Sequence, residues 1–105
     1  MLNLANQGIH INPLPQREGD KCRINYEGLL KKSGADQVYL HCGYGHDWDY
    51  TKDIPMFNTQ TGAVCELTME HDGMFNFCFK DSADHWDNNS GQNWKVPILT
   101  NFSLK

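Results

Sequence analysis

The chain has 105 residues, the size of one domain with a modest core, and its 39% hydrophobic and 21% charged residues exclude a disordered chain. A net charge of −4 with scattered basic residues excludes a nucleic-acid-binding face, and no apolar run approaches the roughly 20 residues that span a bilayer. Met1 to Gln7 carries neither a basic cluster nor an apolar block. The expected location is therefore cytoplasmic, or extracellular if the chain is a piece of a secreted enzyme.

Alternation with period two dominates the chain from residue 8 onward. Residues 8–13 form a short candidate strand, and residues 13–19 read as a turn region. In residues 22–27, Cys22, Ile24 and Tyr26 share one face, against Arg23, Asn25 and Glu27 on the other. Leu29-Leu30-Lys31-Lys32 reads as one helical turn, too short to change the class. After the turn Ser33-Gly34-Ala35-Asp36, residues 37–42 place Val38, Leu40 and Cys42 inward and Gln37, Tyr39 and His41 outward. A polar, glycine-containing loop then leads to Trp48, and residues 54–58 form another short candidate strand. Residues 63–69 set Cys65, Leu67 and Met69 opposite Glu66 and Thr68. Residues 75–80 stack Phe75, Phe77 and Phe79 on one face, the centre of the core. A second polar loop, residues 84–91, carries Trp86. Residues 93–98 bring Trp94, Val96 and Ile98 together, so Trp94 belongs to the core, and Pro97 suits an edge strand. Such strands, joined by short turns, predict an all-β antiparallel sandwich. It makes one domain over residues 1–105, with its core at about 8–100.

Cys22, Cys42, Cys65 and Cys78 allow three disulfide pairings, but each lies within an apolar alternation, and the expectation is buried free thiols. The sequence has no Cys-x-x-Cys or His-x-x-x-His spacing. Asp87 to Gly91 resembles part of a calcium loop but lacks the ligand spacing and the distal Glu, so no metal and no cofactor is expected. Asp47, Asp49, Asp84 and Asp87 offer carboxylates for glycoside hydrolysis, yet they sit in polar loops of a domain too small for a deep, dry cleft. No enzyme is read here. Asn88-Asn89-Ser90 and Asn101-Phe102-Ser103 match the glycosylation pattern and are read as chance matches.

Trp48 and Trp86 are the tryptophans left for a ligand, and their neighbours suit a sugar. A pyranose ring has an apolar face that lies on an aromatic plane and a rim of hydroxyls that pair with amides and carboxylates. Asp87, Asn88 and Asn89 follow Trp86, while His46 and Asp47 precede Trp48. For Asn88 and Asn89 two readings stand side by side: contact with sugar, or capping of their own turn. On the outward side of the third strand, His41 and Tyr39 lie next to the Trp48 loop and join the candidates.

The order of Val38-Tyr39-Leu40-His41, the glycine loop to Trp48, Met56 after a proline, the Phe-rich strand to Asp81, Trp86-Asp87-Asn88-Asn89 and Asn93-Trp94 resembles starch-binding carbohydrate-binding modules of family 25. Families 26 and 53 are similar in outline, and the resemblance covers about residues 22–98. It implies an immunoglobulin-like sandwich that binds α-1,4-glucan (starch, glycogen or malto-oligosaccharides) without cutting it, in company with a glucan-active enzyme. By the same resemblance His41, Trp48 and Trp86 form the binding surface, assisted by Asn88 and Asn89. Two rival functions remain. One is a protein-interaction module that uses Tyr39, Tyr44 and Trp48 as an exposed patch, and the other is a glycoside-active fragment that depends on Asp87.

Overall fold

The computed structural model describes residues 7–100; the amino-terminal stretch read for a signal and the Asn101-Phe102-Ser103 tripeptide lie wholly or largely outside them. In chain order the elements are β1 (Ile9–Asn12), β2 (Lys21–Tyr26), the single turn α1 (Leu29–Lys32), β3 (Val38–Tyr44), β4 (Asp49–Pro55), β5 (Phe57–Thr59), β6 (Gly62–Thr68), β7 (Gly73–Asp81), β8 (Trp86–Asp87) and β9 (Trp94–Ile98). Two antiparallel sheets form. One runs β1-β2-β6-β5 and the other β4-β3-β7, with β8 and β9 both pairing with β7. This is the strand order of an immunoglobulin-like sandwich, in which the second and sixth strands of one sheet face the third and seventh of the other.

The alternation seen in the sequence explains why the sheets close on each other. Cys22, Ile24 and Tyr26 on β2, Val38, Leu40 and Cys42 on β3, and Trp94, Val96 and Ile98 on β9 all enter one buried cluster. Phe75, Phe77 and Phe79 are essentially inaccessible to solvent, and burying each contributes about 1.5–3 kcal/mol. Tyr26 stacks on Phe79 at 3.9 Å between ring centroids, and Trp94 packs on Phe77 and Phe79. The four cysteines are free and buried, and burial pushes their thiols up, to about 11 for Cys22 and Cys42 and about 12 for Cys65 and Cys78.

The structure differs from the sequence reading at three places. Residues 54–58 do not form one strand: β4 starts earlier, at Asp49, and ends at Pro55, and β5 belongs to the other sheet. Six of the seven β4 residues are exposed, so this edge strand carries no hydrophobic alternation to betray it. Tyr44 is only 6% exposed, which removes it from the exposed patch that the protein-interaction reading required. Trp86 is not in a loop but on the two-residue strand β8.

Candidate functional site

The outer face of the second sheet collects the candidates. Residues facing each other across an antiparallel pair lie on the same side of the sheet. His41 on β3 stands opposite Asp53 on β4 and Cys78 on β7. One register step along, Tyr39 stands opposite Lys80, which is in turn opposite Trp86. The tight turn between β3 and β4 brings Trp48 to the same face. The result is a cluster of three rings drawn from three separated segments. The Trp48 ring lies 5.5 Å from that of His41 and inclined by 27°, and the Trp86 ring lies 5.1 Å from it and edge-on at 87°. Since one indole is near the imidazole plane and the other near its perpendicular, the two indoles are steeply inclined to each other. Tyr39 shares the face but joins none of these ring contacts among the described residues.

The rings are held by contacts within their turns and with neighbouring strands. Gly43 of β3 is the seat of Trp48: a Cβ there would come within 3.0 Å of the carbonyl carbon, Cα and Cβ of Trp48. Trp48 itself has φ 56°, an uncommon conformation for a bulky residue. Its N–H donates to the Gly45 carbonyl at 3.1 Å, and its own carbonyl accepts from the Thr51 hydroxyl. From below, the buried Asn76 donates through Nδ2 to the Gly45 carbonyl at 2.8 Å, tying the turn to β7. Cys78 occupies the outer face opposite His41 yet is only 3% exposed.

Trp86 is positioned from both sides. On its amino-terminal side, Asp81 accepts from the backbone N–H of Ala83 and His85 through Oδ1, at 2.9 and 2.8 Å. Its Oδ2 meets His85 Nδ1 at 2.9 Å, and these bonds, led by the one from the His85 backbone, hold its carboxyl below the usual range. On the other side, Asp87 points into the sandwich, where its Oδ2 accepts from the Tyr26 hydroxyl at 2.5 Å. That hydroxyl also accepts from the Leu30 N–H at 3.0 Å, and burial, reinforced by Asp87, raises its pKa. With Asp87 anchored inward, alternation turns Trp86 outward, where it is 43% exposed.

Charges surround the rings. Asp53 meets His41 Nδ1 at 2.5 Å through Oδ1, while its Oδ2 lies 3.8 Å from Lys80 Nζ. In the neutral tautomer that donates from Nδ1 to this carboxylate, Nε2 is an acceptor. Lys80 also lies 3.5 Å from Asp84 and 5.2 Å from the centre of the Trp86 ring. Asn88 acts within its own turn, its Oδ1 accepting from the Gly91 N–H at 2.9 Å, while Asn89 donates through Nδ2 to the Asn93 carbonyl at 3.1 Å and accepts at Oδ1 from Gln7 Nε2 at 2.9 Å. Among the described residues no group of three His, Cys, Asp or Glu side chains is placed to hold a metal ion. Sequence reasoning missed Gly43, Asp53, Asn76 and Lys80. The outward phase of β7, visible in Asn76, Cys78 and Lys80, was the signal that pointed to two of them.

A family model described as starch/carbohydrate-binding module (family 53) matches residues 22–77. The chain belongs to this family. The match is to family 53, one of the two related families, rather than to family 25 itself. It includes His41, Gly43, Trp48, Asp53 and Asn76 and stops short of Trp86. The family 53 module is also 26% identical, over 103 residues, to an alpha-amylase of Clostridium acetobutylicum. That alignment covers 95% of the module and 13% of the amylase, so the chain spans a small part of that relative's length. No solved structure matches it.

Proposed function

We propose that the module binds α-1,4-glucan without cleaving it, on a bent platform made by Trp48 and Trp86 with His41 between them. The observation that carries this reading is the ring cluster itself, two inclined indoles brought to one imidazole from distant segments. An α-1,4-glucan chain curves, so successive glucose units present their apolar faces at an angle, and two inclined rings suit it better than a flat β-glucan ribbon. His41 Nε2 accepts a hydrogen bond from a sugar hydroxyl, with Asp53 holding the ring. Asn88 Nδ2 is available to a second hydroxyl, because its turn uses Oδ1. Asn89, engaged through both ends of its amide, and Tyr39 border the site.

Each stacked ring contributes roughly 1–3 kcal/mol, by analogy with bases stacked on aromatic side chains. The polar contacts replace bonds to water and give orientation more than strength. A shallow site of this kind binds with a Kd in the micromolar to sub-millimolar range, about −5 to −8 kcal/mol. The partial alignment with an alpha-amylase supports a role as an appendage that keeps a glucan-active enzyme at its polymer. The test is titration with maltoheptaose followed by tryptophan fluorescence, with cellohexaose as control. Trp48→Ala and Trp86→Ala should each lose retention on glycogen in an affinity gel while remaining folded. Unchanged migration of both variants would overturn the platform.

A further inference from the structure

A second aromatic surface lies on the other side of β4. The pairing of β3 with β4 slips between Cys42 and Tyr44, where β4 carries an extra residue, and Tyr50 sits in that bulge with φ 57°. A tyrosine in the left-handed region is costly and persists only where its surroundings fix it. Here the fixing group is His71, in the segment between β6 and β7, whose ring lies parallel to that of Tyr50 at 3.7 Å and 8°. His71 in turn rests edge-on against the buried Tyr44 at 5.1 Å. Tyr50 is nevertheless 62% exposed, so with one face on His71 the opposite face is open to solvent. The ring borders a groove of about 310 Å³ between β4 and β6, lined also by Lys52, Ile54, Glu66, Thr68 and Glu70. Lys52 and Glu70 form an ion pair there.

We infer that Tyr50 and this groove form a second glucosyl-binding site, independent of the tryptophan platform and facing away from it across β4. The inference rests on the glucan reading of the platform. The chemistry matches a sugar: a rigid, backed aromatic face for the C–H side of a pyranose, beside charged and hydroxyl groups that exchange bonds with its rim. The groove's paired charges make it a poor seat for an apolar side chain, whose burial there would strip water from Lys52 and Glu70. Two sites on opposite sides of one edge strand let a branched or curved polymer engage the module twice, which raises retention on long glucan without changing affinity for a short one.

The experiment compares glycogen with maltotriose. Tyr50→Gly removes the ring while suiting the positive φ, so its thermal midpoint should stay within a few degrees of the parent. It should weaken retention on glycogen about tenfold and leave the tryptophan fluorescence response to maltotriose unchanged. In the Trp86→Ala variant, maltoheptaose should still shift the ring NMR resonances of Tyr50 and His71. Parental glycogen retention by Tyr50→Gly, or the absence of those shifts, would overturn the second site while leaving the platform standing. Failure of the parent chain to bind glycogen would overturn the glucan reading itself.

Discussion

Replacing Gly43 by alanine tests whether the seat beneath Trp48 sets the platform. The new Cβ would meet three atoms of Trp48 at 3.0 Å, inside the 3.4 Å at which ordinary contact begins, so Trp48 must retreat by a few tenths of an ångström. It has little freedom to do so, because Gly45, Thr51 and Asn76 tie the turn and the residue already has φ 56°. Gly43 has no positive φ of its own, so alanine adds no backbone strain, and in a strand it gains about 0.5–1 kcal/mol over glycine. The cost therefore falls on the tilt of the indole against His41. Losing much of one stacked contact, about 1–3 kcal/mol, weakens maltoheptaose binding about tenfold. Titration calorimetry reads the affinity and thermal melting reads the fold. Parental affinity in a folded Gly43→Ala variant would refute the reasoning, since it would mean that the position of Trp48 does not matter to the ligand.

Asp53→Ala should remove the partner of His41 Nδ1 and cost binding about 0.5–1.5 kcal/mol, the net worth of one hydrogen bond; imidazole 15N shifts report the tautomer. Tyr26→Phe strips the Asp87 carboxylate and the Leu30 N–H of their shared partner. The loss of about 1–3 kcal/mol should lower the melting temperature by roughly 4–8 °C per kcal/mol. Because the carboxyl of Asp81 is held below its ordinary value of 3.8, its contribution to stability is present above that pH and is lost as pH falls through the lower, folded value. Asp81→Asn should thus be destabilised at neutral pH, with the gap to the parent closing in strong acid; a gap independent of pH would sink the assignment.

How much of the fold and the site was legible in the sequence depends on where each residue's alternation is enforced. The inner faces of β2, β3, β7 and β9 read correctly because both sheets bury them, and one misplaced phase would put an aromatic into water. β4 did not, since an edge strand that faces solvent has no such constraint. Tyr44 misled because the loop was read to begin at Gly43, whereas β3 runs on to Tyr44, which keeps the inward phase of Val38, Leu40 and Cys42 and stands opposite Phe75, while Trp48 covers the outer side of Gly43. Trp48, His41 and Trp86 could be picked out as candidates from residue type and neighbours. That they meet depends on the registers of β3 with β7 and of β7 with β8, which no local pattern states. Gly43 was invisible because its role lies in a contact with Trp48 across the turn, and although the phase of Asn76 could be read, its bond to the Gly45 carbonyl could not.

The proposed platform draws on β3, the turn after it and β8, segments that come together only when the sandwich closes. A ligand that recognises only the closed form shifts the unfolding equilibrium toward it. At a free glucan concentration a hundred times Kd the native state gains about 2.7 kcal/mol, a large share of what a domain of this size holds in reserve. Durability then becomes a property of the pair rather than of the protein. On the proposed function, a module resting on its polymer would resist heat and proteolysis, and the same module adrift in dilute solution would open more often and be cleared first.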